Sequence, residues 1–261
     1  ATFGEEVYSP EITDIRDTKC LVLIGAHIGE NMHNGQIQEM SDAIDKGVTI
    51  ITVDPRFSTA AGKSKFWLPI KPSTDIALLL AWMHEIIYND YYDKKYVEKY
   101  CNGFDKLNEH VRDFTPEWAY GITTIQPDMI RKTAKAMADA SPSVIIHPGR
   151  HVTWYGDDTQ RERAIAILNA LLGSWGRRGG FYRPASHPLP GAKIPKYPEP
   201  KKTWTDAFPG KYPIASSPVS NALIDASIPE NKPGLLIKGW IVNATHLISS
   251  IPEQANTKKA I

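Results

Sequence analysis

Cys20-Leu-Val-Leu-Ile24 runs into Gly25-Ala26, and after a helical interval the chain reaches Val48-Thr-Ile-Ile-Thr-Val53, which stops at Asp54-Pro55-Arg56. The first run is short, apolar throughout and closed by a glycine, the pattern of a strand buried on both faces. Between the two runs, Gln36 to Lys46 set Ile37, Met40, Ala43 and Ile44 on one face of a helix, with Gly47 placed to end it. The second run is β-branched and equally apolar. Strand, helix and strand with short links form the signature of a parallel βαβ unit. The expected fold is therefore α/β, a Rossmann-like open and mostly parallel sheet with helices on both faces.

Working outward, Phe66-Trp-Leu-Pro-Ile70 reads as a third strand, and Ser73-Thr74-Asp75 as the cap of a long apolar helix from Ile76 to Tyr88. Three short helices fill Asp93 to Tyr120, punctuated by Gly103 and Pro116. Gln126 to Ala140 is amphipathic with Ile130, Ala134 and Met137 inward, and Ser143-Val-Ile-Ile146 is a further strand closed by His147-Pro148-Gly149-Arg150. Asp157 or Asp158 caps a helix that reaches about Leu172. From 184 to 233 the texture changes, with eleven of the 20 prolines and little periodicity. Gly234-Leu-Leu-Ile-Lys-Gly-Trp-Ile-Val-Asn243 then reads as one more strand, of a different sheet. The expected layout is a Rossmann-like domain over 1–183, a proline-rich connecting segment over 184–233, and part of a second α/β domain over 234–261.

Composition narrows the function. The 261 residues hold 30 Lys+Arg against 29 Asp+Glu, so no basic face is supplied for nucleic acid. Hydrophobic residues at 42% and charged ones at 23% exclude wholesale disorder. No apolar run approaches the about 20 residues that span a bilayer. Cys20 and Cys101 stand apart, without the spacing of a zinc or iron–sulfur site.

Candidate chemistry gathers at the ends of the strands, where open α/β sheets bind ligands. Gly25-Ala26-His27-Ile28-Gly29-Glu30-Asn31 lets a backbone approach a ligand, though it lacks GxGxxG and also reads as a plain strand-to-helix turn. Asp54 suits ribose hydroxyls or a guanine edge and Arg56 a phosphate, with an Asp-Pro turn as the plainer reading. Ser73 and Asp75 sit where a helix start could meet a base, or serve only as its cap. His147, Gly149, Arg150 and His151 crowd one loop. His147 and His151 at spacing four suggest a metal, but no third ligand follows, so no metal site is assigned. Gly173 to Gly180 reads as a helix exit whose arginines could meet phosphate or an acidic partner. Gly239, Trp240 and Asn243 lie in the last apolar run, where a glycine within a strand often marks a close approach.

In this order the segments resemble the molybdopterin oxidoreductases of the dimethyl-sulfoxide-reductase family. The motifs are Gly25-Ala26, Val53-Asp-Pro-Arg56, Trp67-Leu-Pro-Ile-Lys-Pro-Ser-Thr-Asp75, Phe114-Thr-Pro-Glu-Trp118 and Leu168-Asn-Ala-Leu-Leu-Gly-Ser-Trp-Gly-Arg-Arg-Gly-Gly180. The match covers most of residues 1–183 and resumes near 234–252. His147-Pro-Gly-Arg150 with Trp154-Tyr-Gly-Asp-Asp-Thr-Gln160 looks most like the catalytic subunits of polysulfide and thiosulfate reductases. The family's usual Asn in the first loop is His27 here, and its usual Gly in the third is Ser73.

The resemblance implies a molybdenum bis(pyranopterin guanine dinucleotide) cofactor, written Mo-bis-PGD. Gly25, Ala26, His27, Glu30 and Asn31 would follow the pyrophosphate of one dinucleotide. Asp54 and Arg56 would sit near its guanosine and Asp75 on the guanine edge, with Ser73 and Gly149 also among the cofactor-binding residues. Gly239, Trp240 and Asn243 would meet the second dinucleotide, with Arg150 and His151 on the substrate side. It also implies a central piece of a longer catalytic subunit, inactive alone, with the iron–sulfur cluster and the molybdenum ligand upstream. The implied partners are an iron–sulfur electron-transfer subunit and a membrane anchor, and the implied location is the exported, periplasmic side of the membrane. A non-catalytic nucleotide-binding module, similar to the central domain of thiamine-diphosphate enzymes, accounts for the first 60 residues only. A complete NAD-dependent dehydrogenase lacks its glycine fingerprint here.

Overall fold

The computed structural model describes residues 13–26, 28, 34–147, 149, 158–182, 198, 200–211, 220–251 and 253–261. The chain divides between Pro184 and Ala185 into two compact units. In the first, the described strands are β1 (Cys20–Ile24), β2 (Thr49–Val53), β3 (Phe66–Leu68) and β4 (Val144–His147). All pair in parallel, in the order β3-β2-β1-β4, with Val22 opposite both Ile51 and Ile146.

Alternate side chains of each strand serve opposite faces. On one face Cys20, Val22, Ile24, Ile51, Val53, Val144 and Ile146 pack under α3 (Asp75–Tyr88), α7 (Pro127–Ala140) and α8 (Asp158–Leu171). Trp82 is fully buried there, and its indole N–H donates to Thr133 Oγ1 at 2.9 Å, so the polar atom of a large apolar ring is satisfied. Leu21, Leu23, Ile50 and Ile145 face the other way, onto Met40 and Ala43 of α1 (Asn34–Asp45), Ile15 and Phe181. Both faces are therefore covered, which is why these strands read as unbroken apolar runs rather than alternating ones. Short helices α2 (Thr59–Lys63), α4 (Lys94–Tyr100), α5 (Phe104–His110) and α6 (Pro116–Thr123) fill the connections.

Asn169 of α8 carries out an unusual task for a side chain. Its amide oxygen accepts the Ile146 N–H at 3.0 Å, and its amide nitrogen donates to the Ile146 carbonyl at 3.1 Å. That pair satisfies the outer backbone groups of β4, where burial forbids leaving them unpaired.

Two sequence expectations change in this unit. The buried stripe of α1 is Gln36, Met40 and Ala43, while Ile37 and Ile44 are partly exposed. Packing geometry outweighs side-chain hydrophobicity here, and the amide nitrogen of the buried Gln36 donates to Thr13 Oγ1. No side chain caps α3. Thr74 precedes it, but its hydroxyl donates back to the Lys71 carbonyl at 2.6 Å, and Ser73 takes a left-handed φ of 65°.

In the second unit the described elements are α9 (Ser220–Ala226), α10 (Leu247–Ser250), α11 (Gln254–Ala260) and short 3₁₀ turns. The strand expected over Gly234–Asn243 is absent among these described residues. The run is irregular: Ile237 N–H reaches the Ala226 carbonyl, the Trp240 indole donates to Ser227 Oγ at 2.9 Å, and Ile241 is fully exposed. A strand forms only beside another strand that takes its backbone groups in series, and none is present among the described residues of this unit.

Candidate functional site

Four parallel strands place four carboxyl ends along one edge of the sheet, so the loops after β1, β2, β3 and β4 share it. Chain direction across the sheet reverses between β1 and β4, and the crevice at such a reversal is where open α/β sheets take ligands. There Gly25 and Gly149 adopt φ of 61° and 69°. A β-carbon on Gly149 would lie 2.5 Å from the Ile24 carbonyl oxygen and 3.1 Å from that of Gly25. The two loops thus cross backbone on backbone, and Gly149 is required by the protein's own packing. Gly149 N–H donates to Nδ1 of the fully buried His147 at 3.0 Å, so that ring nitrogen carries no proton.

At the end of β2, Asp54 Oδ1 accepts the Arg56 N–H at 2.9 Å, and the Asp54 carbonyl accepts the Trp67 indole N–H at 2.9 Å. The turn is therefore rigid, with Arg56 exposed on it. Phe57 follows, 67% exposed, in edge-on contact with Trp67 at 4.9 Å. After β3, the exposed Ser73 leads to Asp75, the first residue of α3. Burial pushes the Asp75 carboxyl up, and the positive charge of Arg161 on α8 works against that rise. Arg161 itself is 4% exposed and pairs with Glu162.

The structure thus brings Gly25, Ala26, Asp54, Arg56, Ser73, Asp75 and Gly149 to one edge. His27, Glu30, Asn31, Arg150 and His151 lie outside the described residues. Gly239, Trp240 and Asn243 belong to the second unit. A β-carbon on Gly239 would meet nothing within 4 Å, so no close approach within this unit demands that glycine. In Gly173 to Gly180 the arginines serve the fold: Arg177 meets Asp93 at 2.6 Å and Arg178 meets Asp17 at 2.9 Å. Burial lifts the Cys20 thiol to about 12, which leaves it an inert core group.

Sequence reasoning passed over Phe57, Arg161 and Asn169. An aromatic directly after Asp-Pro-Arg was a signal for the first. Arg161 and Asn169 were hidden in a helix judged by its apolar spacing.

The Molybdopterin oxidoreductase family profile matches residues 2–225. The chain belongs to the molybdopterin oxidoreductase family. It is 30% identical to the thiosulfate reductase molybdopterin-containing subunit PhsA of Salmonella typhimurium, over 95% of this chain and 34% of that one. It is also 30% identical to the dimethyl sulfoxide reductase DmsA of Escherichia coli, over 79% and 29% respectively. Among solved structures, acetylene hydratase from Pelobacter acetylenicus superposes with a TM-score of 0.58 at 31% identity, covering 63% of this chain and 22% of that one. The chain spans about a third of the length of these curated relatives. Reductases and a hydratase share this fold, so the fold alone does not choose the reaction.

Family membership brings molybdopterin as the cofactor class, and the edge suits a nucleotide-bearing form of it. An exposed guanidinium matches phosphate, and carboxylates at Asp54 and Asp75 match the N–H donors of a guanine edge.

Proposed function

We propose that this chain is the central, cofactor-cradling part of a molybdenum oxidoreductase that reduces a sulfur compound, thiosulfate or polysulfide. The cofactor is Mo-bis-PGD, and the chain holds its guanine dinucleotide portions. The observation that carries this is the single edge on which Gly25, Asp54, Arg56, Asp75 and Gly149 meet. Gly25 to Asn31 follow one pyrophosphate, Asp54 and Arg56 attend its guanosine, and Ser73 and Asp75 border the guanine. Arg150 and His151 lie toward the substrate, and Gly239, Trp240 and Asn243 serve the second dinucleotide. The redox step belongs to the bound metal and pterins, and this chain's groups bind and orient them.

The sulfur substrate is favoured by the thiosulfate reductase relative, which aligns with 95% of this chain. The same reading gives the protein an iron–sulfur cluster and molybdenum ligand in the remainder of its catalytic subunit. It also gives an iron–sulfur electron-transfer subunit and membrane anchor as partners, and an exported location. Two measurements test it. Titration with GDP and with NAD should show tighter GDP binding, and tighter NAD binding overturns the cofactor assignment. Reductase assays of the whole catalytic subunit should give turnover with thiosulfate or polysulfide, and turnover with neither overturns the substrate assignment.

A further inference from the structure

We propose that Phe57 is a stacking platform for the purine base of the nucleotide bound at the carboxyl edge, which makes it a positioning residue for that ligand. The inference rests on the nucleotide reading above and adds to it a side chain and a chemical selectivity.

Phe57 is 67% exposed at the end of a strand in the sheet's ligand-binding edge, next in sequence to Arg56 and three residues from Asp54. Such exposure of an aromatic ring on a mobile loop would mean little. This loop is braced. Asp54 Oδ1 holds the Arg56 N–H, the Asp54 N–H donates to the Leu68 carbonyl at 3.2 Å, and the Trp67 indole donates to the Asp54 carbonyl. Ser58 follows immediately, capping α2 by accepting the Ala61 N–H.

The ring is supported on two sides. Trp67 meets it edge-to-face with centroids 4.9 Å apart and planes at 72°. Gly62 lies beneath it, such that a β-carbon there would come 3.7 Å from the ring. That is ordinary van der Waals distance, so the ring lies against α2 while most of its surface still faces solvent. A rigid, supported, exposed aromatic plane fits a planar ligand, because stacking gains dispersion and desolvation without ordering a flexible group.

Its neighbours define which planar ligand. Arg56 offers a cation for phosphate, and Asp54 a carboxylate for ribose hydroxyls, so a nucleotide can lay its base on Phe57 while its sugar and phosphate meet the two residues before it. Stacking also favours the larger ring system, hence a purine over a pyrimidine.

The test is calorimetric titration of the 261-residue chain with GDP, CDP and ribose 5-phosphate, using wild type, Phe57→Leu and Phe57→Tyr. Leucine keeps apolar bulk and removes the π face; tyrosine keeps the face. Phe57→Leu should weaken GDP about tenfold, in line with the energy of one base–aromatic stack. CDP should weaken less, ribose 5-phosphate should be unchanged, and Phe57→Tyr should bind GDP as wild type does. Equal GDP affinity in Phe57→Leu and wild type would overturn the platform while leaving the nucleotide reading intact. Parallel losses for GDP and ribose 5-phosphate would also overturn it, since they report a displaced loop. A wild-type chain that binds no GDP overturns the nucleotide reading itself.

Discussion

Gly149 crosses the end of β1 so closely that a β-carbon on it would stand 2.5 Å from the carbonyl oxygen of Ile24. The crossing ties the loop after β4 to the loop after β1 at the point where the sheet reverses its order. Any cofactor seated in that crevice meets a framework whose two walls are already in contact.

Gly149→Ala is therefore expected to do more than strain a left-handed residue. The backbone must separate by several tenths of an ångström, and we expect a loss of about 2–4 kcal/mol in urea unfolding. A loss below about 1 kcal/mol would mean that the crossing yields easily. GDP affinity should fall in the same variant, because both walls of the crevice move.

Ser73 has the opposite expectation. It is exposed, its φ is 65°, and the resemblance places glycine at this position. Ser73→Gly relieves the left-handed strain, partly offset by the greater freedom of glycine in the unfolded chain, for a net gain of about 0.5–1 kcal/mol. Thermal unfolding of the two chains side by side checks this, and a lower melting point for the glycine variant would contradict it.

Asn169→Leu keeps volume and removes the paired hydrogen bonds to Ile146. It leaves a buried N–H and a buried carbonyl without partners, so a destabilisation of about 2–4 kcal/mol is expected. Amide exchange gives a second readout: the Ile146 N–H should lose protection out of proportion to its neighbours in β1.

Asp75 yields a pH signature with two opposite signs. Burial raises its folded pKa above the ordinary 3.8, with Arg161 opposing the rise. A raised carboxyl takes up a proton on folding, so its contribution to stability improves as pH falls through the folded value toward 3.8. Guanine recognition needs the ionised form, so GDP affinity should fall over the same window. Arg161→Met removes the opposing charge and should shift the midpoint of that affinity loss to higher pH. Asp75→Asn should abolish the pH dependence, and its survival would assign the titration to another group.

Much of the first unit was legible because its local and long-range demands agree. β1, β2 and β4 are buried on both faces, so each is a continuous apolar run, and Pro127 to Ala140 has its inward stripe at Ile130, Ala134 and Met137. The site was legible as a list of strand ends, since parallel pairing brings those ends to one edge. Illegible features depend on partners distant in sequence. Gln36 is buried with Thr13 there to accept from its amide, and the partly exposed Arg177 is held by Asp93. The run from Gly234 to Asn243 carries the residue preferences of a strand, but a strand also needs an edge to join, which composition does not reveal.

One consequence concerns solubility. An outermost parallel strand presents a row of hydrogen-bonding groups that invites a strand from another molecule. On β4 the amide of Asn169 already occupies both groups of Ile146. A side chain thus closes the row of backbone groups at the middle of β4, the end of the described strand order, a strand fully buried once α8 is in place. Removing it would be felt first as aggregation during folding, before any change in the finished protein.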